Sequence, residues 1–318
     1  MGRLRYTVFG AGAVGGVIAA HLAQRDAVSV VARGAHLEAI RRNGLRFRDL
    51  EGVWREANVA AASDADDLEP ADIVLVTLKA QFVATLAGEI DAARKPGGLV
   101  VFIQNGLPWW VGPDAGLDAG QRLHDIFLNC AAGVVYFGAT IPAPGAVAQT
   151  APGKLLLGPA LGQYDDRLAV LAGALIVGGL EAEEVAGDIR EAIWRKLQVN
   201  VALNGIAALT RAPILDILDS VALRPVLSGL ADDIGAIARA MGHAVSFDIE
   251  GQRQIIRRGQ KSSTLQDIEA GKPIEYDALF GRVLALARRL GVPVPALGMV
   301  APMIGELSRQ LAAPRGGD

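Results

Sequence analysis

Lys196, Asn200 and Asn204 recur at four-residue spacing within Trp194-Arg195-Lys196-Leu197-Gln198-Val199-Asn200-Val201-Ala202-Leu203-Asn204. On an α-helix that spacing puts all three on one stripe. Their neighbours are mostly apolar, so the helix is expected to be buried on most sides. A cation and two amides leaving such a helix need partners, because burying them alone is costly. A substrate could supply those partners. An ammonium beside a ketone can stabilise the negative charge that hydride addition builds on the oxygen, and can donate a proton to it. Desolvation in a cleft would bring its pKa toward working pH, while Asn200 and Asn204 orient the substrate through amide hydrogen bonds. The structural alternative is a lysine snorkelling from a packed helix, with both asparagines bonded to neighbouring loops. Spacing alone leaves the two open.

A hydride reaction needs a cofactor, and the first residues point to one. Residues 5–10 read as a strand, followed by Gly10-Ala11-Gly12-Ala13-Val14-Gly15-Gly16 and a helix through about Arg25. In Gly10-x-Gly12-x-x-Gly15, the first glycine allows the tight turn and the second lets backbone approach a pyrophosphate. The third lets helix and strand pack closely. The helix N-terminus then offers its positive end to the phosphates. Gly10, Ala11, Gly12, Ala13, Val14 and Gly15 are therefore expected to form the cofactor loop. A second strand, Val28 to Ala32, runs into Arg33-Gly34. An NAD site usually places an acid there for the ribose 2′-hydroxyl, and Asp26 lies at the wrong end of the strand to serve. Arg33 suits a 2′-phosphate, so the expected cofactor is NADP(H). A solvated arginine at a strand end is the plainer alternative.

Two further positions follow β-rich runs. Ala71 to Leu78 is a continuous run of the kind a strand covered on both faces shows, and Lys79 comes next. Leu99 to Ile103 leads into Gln104-Asn105-Gly106. Ligands of open α/β sheets bind beyond such C-terminal ends, so Lys79 and Asn105 are candidate contacts; Asn-Gly also makes turns. Later, Lys261-Ser262-Ser263-Thr264-Leu265-Gln266-Asp267 precedes Glu275. The hydroxyls could cap a helix or bind a carboxylate. Glu275 follows Pro273 in the first turn of an expected helix, where an acid is favourable in any case.

These candidates are spread over 318 residues, a length that suggests two domains. Strand alternates with helix in the first part, with a hairpin expected over Leu45 to Val59 around Glu51-Gly52. Short strands with Gly and Pro turns follow from Phe127 to Leu157. This organisation implies an α/β, Rossmann-type doubly wound parallel sheet over 1–187. Helical periods then dominate, at 189–210, 222–241, 246–260, 273–291 and 294–312, giving an all-helical C-terminal domain over 188–318. The Arg-Gly-Gly-Asp end is expected to fray. A net charge of −3 lacks the basic footprint of a nucleic-acid binder. The single Cys130 excludes an intrachain disulfide or a cysteine metal cluster, so no metal is expected and a reducing, cytoplasmic setting is. The apolar stretch Val8 to Ala23 is read as phosphate loop rather than signal peptide. Met1-Gly2 lacks the hydroxyl at position six that myristoylation prefers. The clean apolar run Leu168 to Leu180 is too short to span a bilayer, so no membrane association is expected.

Taken together, these motifs resemble the ketopantoate reductase (2-dehydropantoate 2-reductase) family over nearly the whole chain, from Tyr6 to about Pro295. The resemblance is carried by Val8-Phe9-Gly10-Ala11-Gly12-Ala13-Val14-Gly15-Gly16, Leu75-Val76-Thr77-Leu78-Lys79-Ala80 and Gln104-Asn105-Gly106. It continues in Trp194-Arg195-Lys196-Leu197 with Asn200 and Asn204, and in Ser262 to Asp267 with Glu275. It implies NADPH-dependent reduction of 2-dehydropantoate to pantoate, on the route to pantothenate and coenzyme A, in a cleft between a Rossmann and a helical domain. It further implies that Lys196 is the proton donor and that Asn105 touches nicotinamide and substrate. Asn200, Asn204 and Ser263 would hold substrate. Lys79 and Glu275 would lie on the cofactor side, Arg33 would select NADP, and backbone at Ala132 would come near the nicotinamide.

Some positions depart from the family pattern. Gly205 stands where well-characterised members have proline, and Pro213-Ile214 replaces a Pro-Asn. Leu107-Pro108-Trp109-Trp110 is bulkier than usual, and Gln81 comes one position early. These changes bear on pocket shape, so another short 2-keto acid is an alternative substrate. A β-hydroxyacid or opine-type dehydrogenase shares the two-domain plan. A non-catalytic NADP-binding regulator would keep the glycine loop and Arg33 without needing Lys196. Domain closure about residues 180–190 is expected, since hydride transfer needs water excluded. The apolar helices at 222–241 and 279–290 could cover a homodimer partner or only the core.

Overall fold

The structure is a computed structural model that describes residues 4–111 and 118–312. The expected frayed end, Arg315 to Asp318, and Met1-Gly2 lie outside the described residues. The described chain forms two compact units. One runs through Gln104 and resumes with the fourth helix as far as Ile189; the other holds the segment beginning at Asn105 and everything from Arg190.

In the first unit, β1 (Arg5–Phe9), α1 (Ala13–Leu22), β2 (Ala27–Val31) and α2 (Gly34–Asn43) alternate as expected. The hairpin follows as β3 (Leu45–Arg48) and β4 (Trp54–Ala57), paired antiparallel, with Gly52 at positive φ in its turn. Then come β5 (Ala60–Ala62), β6 (Ala71–Val76), α3 (Ala87–Ala92), β7 (Arg94–Ile103), α4 (Asp118–Ile126) and β8 (Cys130–Val135). The unit closes with β9 (Gly138–Ala143), β10 (Ala146–Ala151), β11 (Leu155–Leu161), α5 (Arg167–Val177) and β12 (Ala182–Glu184).

The main sheet is ordered β12-β11-β8-β7-β6-β1-β2-β5. From β5 to β8 every pairing is parallel; β11 joins antiparallel to β8, so the sheet is parallel with a reversed edge. The hairpin belongs to a second sheet, β4-β3-β10-β9. Helix α1 makes contacts with both sheets and with α5. All but its first two residues are buried, which accounts for its nearly uniform apolar sequence.

The second unit is helical: α6 (Ile189–Thr210), α7 (Ile214–Asp219), α8 (Arg224–Ala240), α9 (Ile249–Ile255), α10 (Ser263–Glu269), α11 (Arg282–Leu290) and α12 (Pro295–Ala312). The helix expected over 246–260 is only α9, because Ile256 turns extended and Gly259 takes positive φ. The helix expected over 273–291 is likewise not uniform. A π-helical segment, Asp277–Gly281, precedes α11. Helix α6 buries Trp194, Leu197, Val201, Ala202 and Ala207 almost completely, as its apolar sequence requires.

Candidate active site

The glycine loop is built as its spacing demands. Gly10 has φ +107, and a Cβ there would come within 2.9 Å of Leu78 Cδ2. A Cβ on Gly15 would overlap the Gly10 carbonyl oxygen and Thr77 Oγ1. At Gly12 the opposite holds: a Cβ would meet nothing within 4 Å. Gly12 is the N-cap of α1, with no side-chain cap and no acid in the first turn. The first-turn N–H groups of a helix lack intrahelical acceptors. An open glycine beside an uncapped helix start therefore fits an approaching pyrophosphate. Thr77 Oγ1 donates to the Gly10 carbonyl at 2.6 Å, and Gly10 and Ala11 N–H both donate to Val31 O at 3.1 Å. These bonds tie the loop to the strands on either side.

Arg33 lies two residues beyond β2 as the extended N-cap of α2, and it is exposed. Lys79 lies three residues beyond β6, part-buried at the start of a 3₁₀ turn. Since β2, β1 and β6 are neighbours in the sheet, Arg33, the glycine loop and Lys79 follow adjacent parallel strand ends. Ala132 sits inside β8, 1% exposed, opposite Phe102 on one side and Gly158 on the other.

The remaining candidates belong to the second unit. Lys196 keeps some surface as a residue, but its ammonium lies at the enclosed end. Burial brings its pKa down to about 8, while the Glu275 carboxylate works in the opposite direction. Down the same stripe, Asn200 is part-buried and Asn204 is 4% exposed. The Asn204 Nδ2 is buried with no hydrogen-bond partner among the described residues. A native protein seldom leaves such a donor unsatisfied, so a ligand oxygen fits there. Ser262 is the N-cap of α10 and accepts from Leu265 N–H at 3.2 Å. That satisfies the capping alternative for Ser262 and leaves Ser263, exposed on the first helical position, as the hydroxyl open to a ligand. Glu275 lies one residue before Tyr276, the N-cap of the π-helical segment.

Asn105 is expected on sequence within the first domain, yet its segment packs with the second unit. Gly106 has φ +87, and a Cβ would come within 2.6 Å of the Ala278 carbonyl oxygen. Leu107 N–H donates to that same carbonyl at 2.8 Å, and Arg282 Nη1 donates to Leu107 O at 3.2 Å. Burial lowers the Arg282 pKa, with Asp277 opposing. The π-helical segment and Arg282 thus hold the loop carrying Asn105, a role that sequence patterning did not disclose. Of the departing residues, Trp109 and Trp110 are buried edge-to-face at 5.4 Å, and Ile214 is buried at the start of α7. A Cβ on Gly205 would lie 3.3 Å from Phe280, so the small residue there matches the ring.

Among the described residues, no group of three or more His, Cys, Asp or Glu could hold a metal ion. No helix there is long and apolar enough to cross a membrane. Two family models match: Ketopantoate reductase PanE/ApbA over residues 6–162 and Ketopantoate reductase PanE/ApbA C terminal over residues 188–308. A 2-dehydropantoate 2-reductase from Mesorhizobium japonicum is 36% identical, over 98% of this chain and 99% of its own. The crystal structure of 2-dehydropantoate 2-reductase from Methylococcus capsulatus superposes with a TM-score of 0.84 at 28% identity, covering 99% of this chain and all of that one. A D-mandelate dehydrogenase solved with NADH and anilino(oxo)acetate has the same TM-score, 0.84, at 19% identity over 98% of this chain and 100% of that one, a likeness of fold alone.

Proposed function

The chain belongs to the ketopantoate reductase family, and from that premise we propose that it reduces 2-dehydropantoate to pantoate with NADPH. The observation that carries this reading is the buried Asn204 Nδ2, without a partner among the described residues, two helical turns along the stripe from an ammonium whose pKa is about 8. A 2-keto acid offers what this face lacks: oxygen acceptors for a buried donor, and a carbonyl to protonate. Bound NADPH supplies the hydride that adds to C2. The Lys196 ammonium gives its proton to the C2 oxygen as charge builds there, and is recharged from solvent afterwards. Asn200 and Asn204, with Asn105 and Ser263, hold the substrate. Arg33 receives the 2′-phosphate, while Lys79, Glu275 and the Ala132 backbone contribute on the cofactor side. Trp109, Trp110 and Ile214 shape the pocket. The single cysteine, buried in β8, suits a reducing cytoplasm.

Purified protein given a panel of short 2-keto acids, amine acceptors included, with NADPH and NADH side by side, tests the reading. Ketopantoate with NADPH is expected to be the preferred pair. Absence of turnover with every short 2-keto acid, at enzyme excess, removes the proposal. In the same assay Arg33→Ala is expected to cut the NADPH-over-NADH preference by on the order of tenfold, the worth of a charge-assisted hydrogen bond.

Glu275 makes its own contribution to the pH dependence. An acid catalyst works only while protonated, so reduction should decline as pH rises through about 8. The Glu275 carboxylate raises the Lys196 pKa; in Glu275→Gln that support is gone, so the decline moves to lower pH. A kcat profile for the variant that superposes on the wild type would rule out this coupling.

A further inference from the structure

His36 is the third residue of α2, three positions after Arg33. Its Nδ1 accepts a hydrogen bond from Gly145 N–H at 3.0 Å. A neutral imidazole that accepts at Nδ1 must carry its proton on Nε2. Burial lowers the His36 pKa, so the neutral ring prevails at pH 7. The Nε2–H is shut away from solvent without a partner among the described residues. The group it faces is the Ala11 carbonyl of the glycine loop, which favours the protonated ring without completing a well-formed hydrogen bond to Nε2. On its other side the ring is anchored firmly. Gly145 has φ +72, a Cβ there would come within 2.6 Å of Ala39 Cβ, and its carbonyl accepts from Arg46 N–H at 2.9 Å. One side chain therefore joins the β9–β10 turn, the helix that Arg33 begins and the loop that leads into α1.

We propose that His36 is a positioning residue of the nucleotide site: its Nε2–H closes on the Ala11 carbonyl when cofactor phosphates draw the glycine loop inward. That carbonyl shares a peptide plane with Gly12 N–H, so the bond sets the entry to the first turn of α1, where the phosphates bind. It also couples that turn to Arg33. A buried donor poorly satisfied in the free protein and fully bonded in the complex adds to binding free energy. This inference rests on reading the loop as a dinucleotide site. It assigns His36 no part in hydride or proton transfer.

The test is direct titration of NADPH, by its fluorescence, into wild type, His36→Ala, His36→Gln and His36→Asn, with kcat at saturating cofactor and melting temperature alongside. Gln can place an amide N–H where Nε2 stands, whereas Asn reaches only the Nδ1 position. His36→Ala and His36→Asn are expected to weaken NADPH binding by about tenfold, and His36→Gln to recover most of that loss. In all three, kcat should stay within about twofold of wild type, since uniform binding is what has been lost. If His36→Ala does not fold, the Gln and Asn variants still decide. NADPH affinity unchanged in Ala, or recovered by Asn and not by Gln, overturns the role of His36. Wild type that binds neither NADPH nor NADH overturns the nucleotide reading itself, and this inference with it.

Discussion

Lys196→Ala is expected to lower kcat for ketopantoate reduction by on the order of a hundredfold or more, the scale of positioned general acid catalysis. KM for NADPH should change little, because the glycine loop and Arg33 do not depend on this side chain. The physical basis is a burial that serves no evident packing purpose. Trp194, Leu197 and Val201 fill the core from α6, and an apolar residue at 196 would do the same without desolvating a charge. The ammonium is kept, at a pKa of about 8 with Glu275 partly offsetting its desolvation. That value leaves it protonated at neutral pH yet readily able to release the proton. A non-catalytic NADP-binding regulator predicts the opposite: Lys196→Ala would leave its role in cells intact.

The glycine loop should separate folding from binding through two substitutions. Gly15→Ala forces a Cβ onto the Gly10 carbonyl and Thr77 Oγ1. Backbone cannot yield as a flexible side chain does, so the helix must shift off the strand. A melting temperature lowered by several degrees and a loss of nucleotide binding by at least about tenfold are expected, since overpacking alone costs 1–3 kcal/mol. Gly12→Ala meets nothing within 4 Å, and Gly12 is at negative φ. It should melt like the wild type and still bind NADPH at least about tenfold more weakly, because its methyl occupies the space a pyrophosphate needs. Thermal melts and nucleotide titrations of both variants check this. Equal binding by Gly12→Ala and wild type would mean that the loop does not receive phosphates.

Much of the architecture was legible because it is written locally. Glycine spacing placed the β1–loop–α1 unit, and a period of 3.6 placed the helix over 189–210, where α6 begins and ends. Short elements were harder. Helices α7 and α10 span too few turns to show a period. The π-helical segment at 277–281 leaves no mark on composition, because it changes the bonding partner rather than the residue type. The packing of the Asn105 loop was illegible for another reason. It depends on Leu107 and Arg282 meeting across 175 positions of sequence. At the candidate site, residue spacing grouped Lys196, Asn200 and Asn204 but could not tell a satisfied amide from an unsatisfied one. Only the folded structure shows that Asn204 Nδ2 lacks a partner among the described residues and that Ser262, rather than Ser263, is consumed in capping.

The central claim is that the Lys196 ammonium delivers the proton in a reduction by NADPH. The most direct measurement is the single-turnover rate of NADPH oxidation by ketopantoate on wild-type enzyme, followed from pH 6 to pH 10, a range chosen around the pKa of about 8. The expected result is a rate that holds on the acid side and then drops with the loss of one proton near pH 8. A rate that stays level across the range, or climbs with pH, would contradict the account.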